Sequence, residues 1–71
     1  MNTKLRTARE VSGKTQAQVA KEAGISELSY QRYEYGKREP NVLTAIRIAK
    51  SLGSTVENLF GAATSNNTGG K

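Results

Sequence analysis

The chain has 71 residues, eleven Lys or Arg against six acidic side chains, a net charge of +5, and neither His nor Cys. A domain of that size buries only about 60% of the surface its unfolded form exposes, which leaves no interior for an enclosed catalytic cavity. Without Cys or His, disulfides, thiolate chemistry and the common zinc ligands are removed together, and six Glu without a pocket make a poor acid–base site. The basic excess suits a polyanionic partner.

Five helix-compatible runs follow, each bracketed by a capping side chain and a glycine. The first starts at Thr3, carries Leu5, Ala8 and Val11 on one side, and stops at Gly13. The second starts at Thr15, which forms a capping box with Gln18, carries Val19, Ala20 and Ala23, and stops at Gly24. The third opens at Ser26, has Tyr30 and Tyr33 inward, and stops at Gly36. The segment KREPN then holds the single Pro, which disfavours helix at Glu39. The fourth starts at Asn41, with Val42, Ala45, Ile46, Ala49 and Leu52 facing inward, and stops at Gly53; the fifth starts at Thr55, with Val56, Leu59 and Phe60, and stops at Gly61.

No run alternates with the period of a strand, so the class is all-α. The domain is expected over residues 1–61, and residues 62–71 (AATSNNTGGK), without periodicity or bulk, read as a disordered tail. The N-terminal segment is charged where a signal peptide needs an apolar run, and no segment reaches membrane-spanning length, which points to the cytoplasm.

The second and third runs, from Thr15 to Gly36, are separated by a turn of about three residues. That is the spacing of a helix-turn-helix, whose second helix lies in the DNA major groove. Projected at 100° per residue, the helix from Ser26 to Tyr35 puts Tyr30 and Tyr33 inward and Leu28, Arg32 and Tyr35 outward, flanked by Glu27, Gln31 and Ser29. Arg can donate to guanine and an apolar side chain can touch a thymine methyl; the competing reading is a face packed on another protein. Lys37 and Arg38, just past the helix, are placed to meet phosphates, and Gln16 and Ser26 to donate to them from helix N-termini. Arg9 and Glu34 read better as a structural ion pair than as DNA contacts.

With these residues in view, the chain resembles the lambda-repressor-like, Cro/repressor-type (XRE) helix-turn-helix family from about Leu5 to Phe60. The carriers are Arg9-Glu10, Thr15-Gln16, Val19-Ala20, Gly24, Ser26, Tyr33-Glu34, Gly36-Lys37-Arg38 with Pro40, Ile48-Ala49-Lys50, Leu52-Gly53 and Leu59-Phe60. The resemblance implies a compact five-helix bundle and a transcriptional regulator, generally a dimer on operator DNA. It maps base contacts onto Glu27, Leu28, Ser29 and Arg32, phosphate contacts onto Gln16, Ser26, Lys37 and Arg38, and a buried ion pair onto Arg9 and Glu34. Tyr35 stands where the family commonly has Asn, Lys14 and Ser54 replace frequent apolar residues, and Leu43 occupies a usually polar position.

One short helix reads too few base pairs for a useful specificity ratio, which argues for a homodimer on a palindromic operator. Val56, Leu59 and Phe60 are the candidate dimer interface, against the alternative that they close the monomer's core. No cofactor, metal, small-molecule ligand or membrane partner is expected. The competing functional class is a protein-interaction module of the same fold, such as an antitoxin or bridging factor.

Overall fold

Helix starts in this chain are set by side-chain oxygens that accept the orphan amides of a first turn. In the computed structural model, which describes residues 1–61, Asn2, Thr15, Ser26 and Asn41 cap α1 (Thr3–Val11), α2 (Gln16–Ala23), α3 (Glu27–Glu34) and α4 (Val42–Ser51). A fifth helix, α5, covers residues 56–61, where the Thr55 hydroxyl accepts from the Asn58 amide at 3.0 Å. The Thr15–Gln18 capping box is closed in both directions. The fold is the expected all-α five-helix domain; the expected tail, residues 62–71, lies outside the described residues.

Two expected boundaries move. Asn2, not Thr3, caps the first helix: its Oδ1 accepts from Leu5 N at 3.0 Å. The same side chain donates through Nδ2 to the Leu59 carbonyl at 2.9 Å, while the Asn2 backbone N–H donates to the Glu34 carbonyl at 2.9 Å. One amide side chain thus caps α1 through its oxygen and ties it to the Leu59 carbonyl through its nitrogen. Gly61 is helical rather than a stop.

The turn between α2 and α3 is set by Gly24, whose φ of 74° lies in the left-handed region that a Cβ disfavours. It lets the Ile25 N–H reach back to the Ala20 carbonyl at 2.9 Å and turns Ile25 toward the core. Gly36 is constrained twice: φ is +74°, and an added Cβ would lie 3.0 Å from the Met1 nitrogen.

α2 packs against both α3 and α4, and α1 leans on α3. Ala20 and Ala23 of α2 and Ala45 and Ala49 of α4 are buried; their small side chains permit close helix approach. Leu5, Val19 and Ile48 are completely buried, and each contributes roughly 1.5–3 kcal/mol relative to exposure. Tyr30 fills the centre with them.

The inward face of α4 differs from the expected one. It is Ala45, Ile48, Ala49 and Leu52, at i, i+3, i+4 and i+7, while Val42 and Ile46 are exposed. Both lie one residue out of phase or one turn ahead of the packed seam. Val11, at the end of α1 and expected on its inward side, is instead 83% exposed.

Candidate nucleic-acid interface

The inward side of α3 is anchored by an unusual buried residue. Glu34, its last residue, is 1% exposed, a burial that a carboxylate tolerates only when paired and hydrogen-bonded. Arg9 Nε donates to Glu34 Oε2 at 2.7 Å and Arg9 Nη2 to Oε1 at 3.3 Å, a bidentate pair between α1 and α3. Gln16 Nε2, from the first residue of α2, donates to Oε1 at 3.1 Å. Arg9 Nη1 also holds the Lys14 carbonyl at 2.9 Å, just ahead of α2.

Burial pushes the Glu34 carboxyl toward its neutral form, but its donors, the Arg9 guanidinium above all, outweigh that and hold its pKa below the usual range. The hydrogen bond to Glu34 raises that of Arg9 against the cost of its own burial. The Tyr30 hydroxyl sits in the same cluster and, among the described residues, is the buried side-chain polar atom that completes no hydrogen bond. Burial, and the nearby Glu34 carboxylate, push its pKa upward.

With Tyr30 and Glu34 held inside, the geometry of a helix turns Leu28, Arg32 and Tyr35 outward. Leu28 is 57% and Tyr35 48% exposed, and Arg32 is exposed as well. Lys37 and Arg38 continue the basic surface in the loop beyond Gly36. Among the described residues, the side chains of Arg32, Lys37 and Arg38 engage no hydrogen bond or ion pair, so their charges stand open to solvent. Glu27 is exposed and accepts from Gln31 Nε2 at 3.4 Å, one turn along the same helix. Glu39 adds an acid to the rim of this surface.

Ser26 and Gln16 are differently placed from the free cations. The Ser26 hydroxyl accepts from the Ser29 amide at 3.1 Å and donates to Ser29 Oγ at 3.0 Å, so its proton is already engaged in capping α3. Gln16 is half-buried and tied to Glu34. Sequence reasoning placed Gln16 near phosphate and Glu34 near Arg9 separately; their mutual bond is a tertiary contact with no local signal. Asn2 was missed although Asn is among the strongest N-cap residues, three positions ahead of Leu5.

Leu59 is 3% exposed and belongs to the core cluster, whereas Val56 and Phe60 are only partly covered by it. Of the three candidate interface residues, these two leave surface available to a partner. Among the described residues no group of His, Cys, Asp or Glu could hold a metal ion, and no helix is long and apolar enough to cross a membrane.

A family model described as helix-turn-helix matches residues 5–59. The chain belongs to the Cro/repressor-type (XRE) helix-turn-helix family. It is 40% identical over 58 residues to the cryptic phage CTXphi transcriptional repressor RstR of Vibrio cholerae, covering 82% of this chain and 52% of that protein. The chain thus spans about half the length of that repressor. An uncharacterised helix-turn-helix-type transcriptional regulator of Methanocaldococcus jannaschii is 35% identical over 60 residues, 84% of this chain and 91% of that one. A third, from Archaeoglobus fulgidus, is 33% identical over 60 residues, 84% and 86% of the two chains. No solved structure matches at a significant level. The family is one of DNA-binding regulators and not of enzymes.

Proposed function

We propose that this helix-turn-helix protein is a sequence-specific regulator of transcription, a repressor, that reads the major groove of double-stranded DNA with α3 as a homodimer. The observation that carries this reading is the outward stripe of Leu28, Arg32 and Tyr35, continued by uncompensated Lys37 and Arg38. Glu27, Leu28, Ser29 and Arg32 take base edges, and Gln16, Ser26, Lys37 and Arg38 take phosphates. The repressing sense follows the phage repressor, about half of whose length this chain matches. Two-fold pairing would use Val56 and Phe60, backed by Leu59, and place two α3 helices about one helical turn apart on a palindromic operator. The working place of such a protein is the cytoplasm, on the nucleoid.

Selection of bound duplexes from a random pool at stated salt tests the reading. Enrichment of one inverted repeat supports it, and a pool that stays random after several rounds rejects it. A second reading, a protein-interaction module, draws on exposed Leu28, Tyr35 and Leu43; it fits the outcome in which no duplex is enriched.

A further inference from the structure

Gln16 opens α2, and Glu34 closes α3, so the bond between them joins the two elements of the helix-turn-helix at one carboxylate. We infer that Glu34 is a positioning residue for binding the DNA backbone: it fixes which end of the Gln16 amide the protein presents to a phosphate. This rests on the DNA-binding reading above and adds a residue that touches no DNA.

The argument is one of donors and acceptors. Glu34, paired with Arg9, is ionised, and an ionised carboxylate only accepts. It can therefore hold only the NH2 end of Gln16, and a side-chain amide that would otherwise flip between two orientations is left with one. Nε2 carries two hydrogens. One goes to Glu34 at 3.1 Å, and the other remains for an acceptor outside. Phosphate oxygens are acceptors, so the fixed end is the end they need. Arg9 reinforces the placement: while bound to Glu34, it also holds the Lys14 carbonyl at 2.9 Å, directly before the Thr15 cap of α2. One buried carboxylate thus sets the first turn of α2 from its side chain and from its backbone, relative to the helix that reads bases. Ser26, by contrast, must release its hydroxyl's bond to Ser29 Oγ before that proton can go to a phosphate.

The test uses the full chain with Gln16→Met, Glu34→Gln and the double variant. Affinity is read by fluorescence anisotropy on the selected operator and on a random duplex, across salt, at a temperature where melts show all four proteins folded. Gln16→Met should weaken both duplexes by about three- to tenfold, the worth of one hydrogen bond. It should leave the salt slope unchanged, because no charge is removed. Glu34→Gln raises the net charge by one, so electrostatics alone would tighten binding. Positioning instead gives a loss of similar size on both duplexes, with base preference kept, and that loss vanishes when Gln16 is already Met.

Tighter binding by Glu34→Gln, an equal loss in both backgrounds, or wild-type affinity in Gln16→Met overturns the inference while operator selection by the wild type still upholds the DNA-binding reading. A wild-type protein that selects no duplex rejects both. If Glu34→Gln does not fold, the side-chain amide resonances of Gln16 in the wild type decide. A shift of one of the two protons on adding duplex, the other staying in place, supports the inference, and no movement of either overturns it.

Discussion

The Lys14 ammonium donates to the backbone carbonyl of Ser51 at 2.6 Å, tying the α1–α2 loop to the last residue of α4. Carbonyls at a helix C-terminus lack intrahelical donors and carry partial negative charge, so a cation is well placed there. Lys14 also reaches Glu22 Oε1 at 2.8 Å, and the Ser51 hydroxyl donates to the same oxygen. Lys14, Glu22 and Ser51 thus form a three-way polar pin between the α1–α2 loop, α2 and α4.

Lys14→Met should therefore destabilise the domain by about 1 kcal/mol through the lost bond to a carbonyl. In a domain of this size that is a fall in Tm of about 4–8 °C, readable by circular dichroism. Hydrogen bonds from Lys14 and then Ser51 hold the Glu22 carboxyl below its ordinary pKa. Its contribution is therefore present above the unfolded-state value and fades as pH falls through the folded one. The Tm gap between wild type and Lys14→Met should narrow as the solution is acidified, down to the part due to the Ser51 carbonyl, which does not titrate; a constant gap would show that the bond to Ser51 acts alone.

The Arg9–Glu34 pair should behave as a buried unit. Glu34 is 1% and Arg9 14% exposed at the side chain, so removing one partner strands a charge, at a cost of about 3–5 kcal/mol. Arg9→Met or Glu34→Leu alone should thus be worse than the two together, because apolar groups of similar volume replace a buried pair at little cost. Thermal melts over the double-mutant cycle measure this, and small additive losses would exclude it. The folded-state pKa of Glu34 is lowered. The stabilisation is complete above the unfolded carboxyl value, about 4.3, and is lost as pH falls through the lower folded one.

These two clusters mark where the sequence stops being legible. Helix starts at Thr15, Ser26, Asn41 and Thr55 could be read because a cap bonds within its own first turn. Asn2 displaced Thr3 because its side chain also reaches a distant carbonyl, that of Leu59. Ile48, not Ile46, faces inward on α4 because both fit a 3.6-residue period and only the packed neighbours choose the phase. The outward stripe of α3 was legible, since Tyr30 fixes the helix's rotation. The bond from Gln16 to Glu34 spans eighteen positions and has no periodic trace.

On DNA, Arg32 and Lys37 should separate cleanly. Both are exposed and uncompensated, but one stands on the helix and the other in the loop past Gly36. Arg32→Ala should cost about 1–3 kcal/mol on the operator and relax preference at one position of each half-site. Lys37→Ala should weaken all sequences alike and flatten the salt slope by about 0.9. Equal losses on operator and random duplex for Arg32→Ala would move it from base contact to phosphate contact.

Dimerisation is the remaining expectation, and Val56 is the place to test it. Leu59 is held in the monomer's own core, while Val56 and Phe60 are only partly covered. Val56→Lys keeps an aliphatic stem to lie along the core and puts an ammonium at its outer edge. Helicity and Tm should change little, and sedimentation should shift toward monomer. The added positive charge favours DNA by itself, so plain electrostatics would raise affinity. Loss of the dimer would instead lower operator affinity sharply while leaving random-duplex binding nearly intact, because only the paired half-sites, about 34 Å apart, depend on two copies. A wild-type protein that stays monomeric at high concentration and binds its operator as one copy would assign Val56 and Phe60 to closing the monomer and return α5 to a purely structural role.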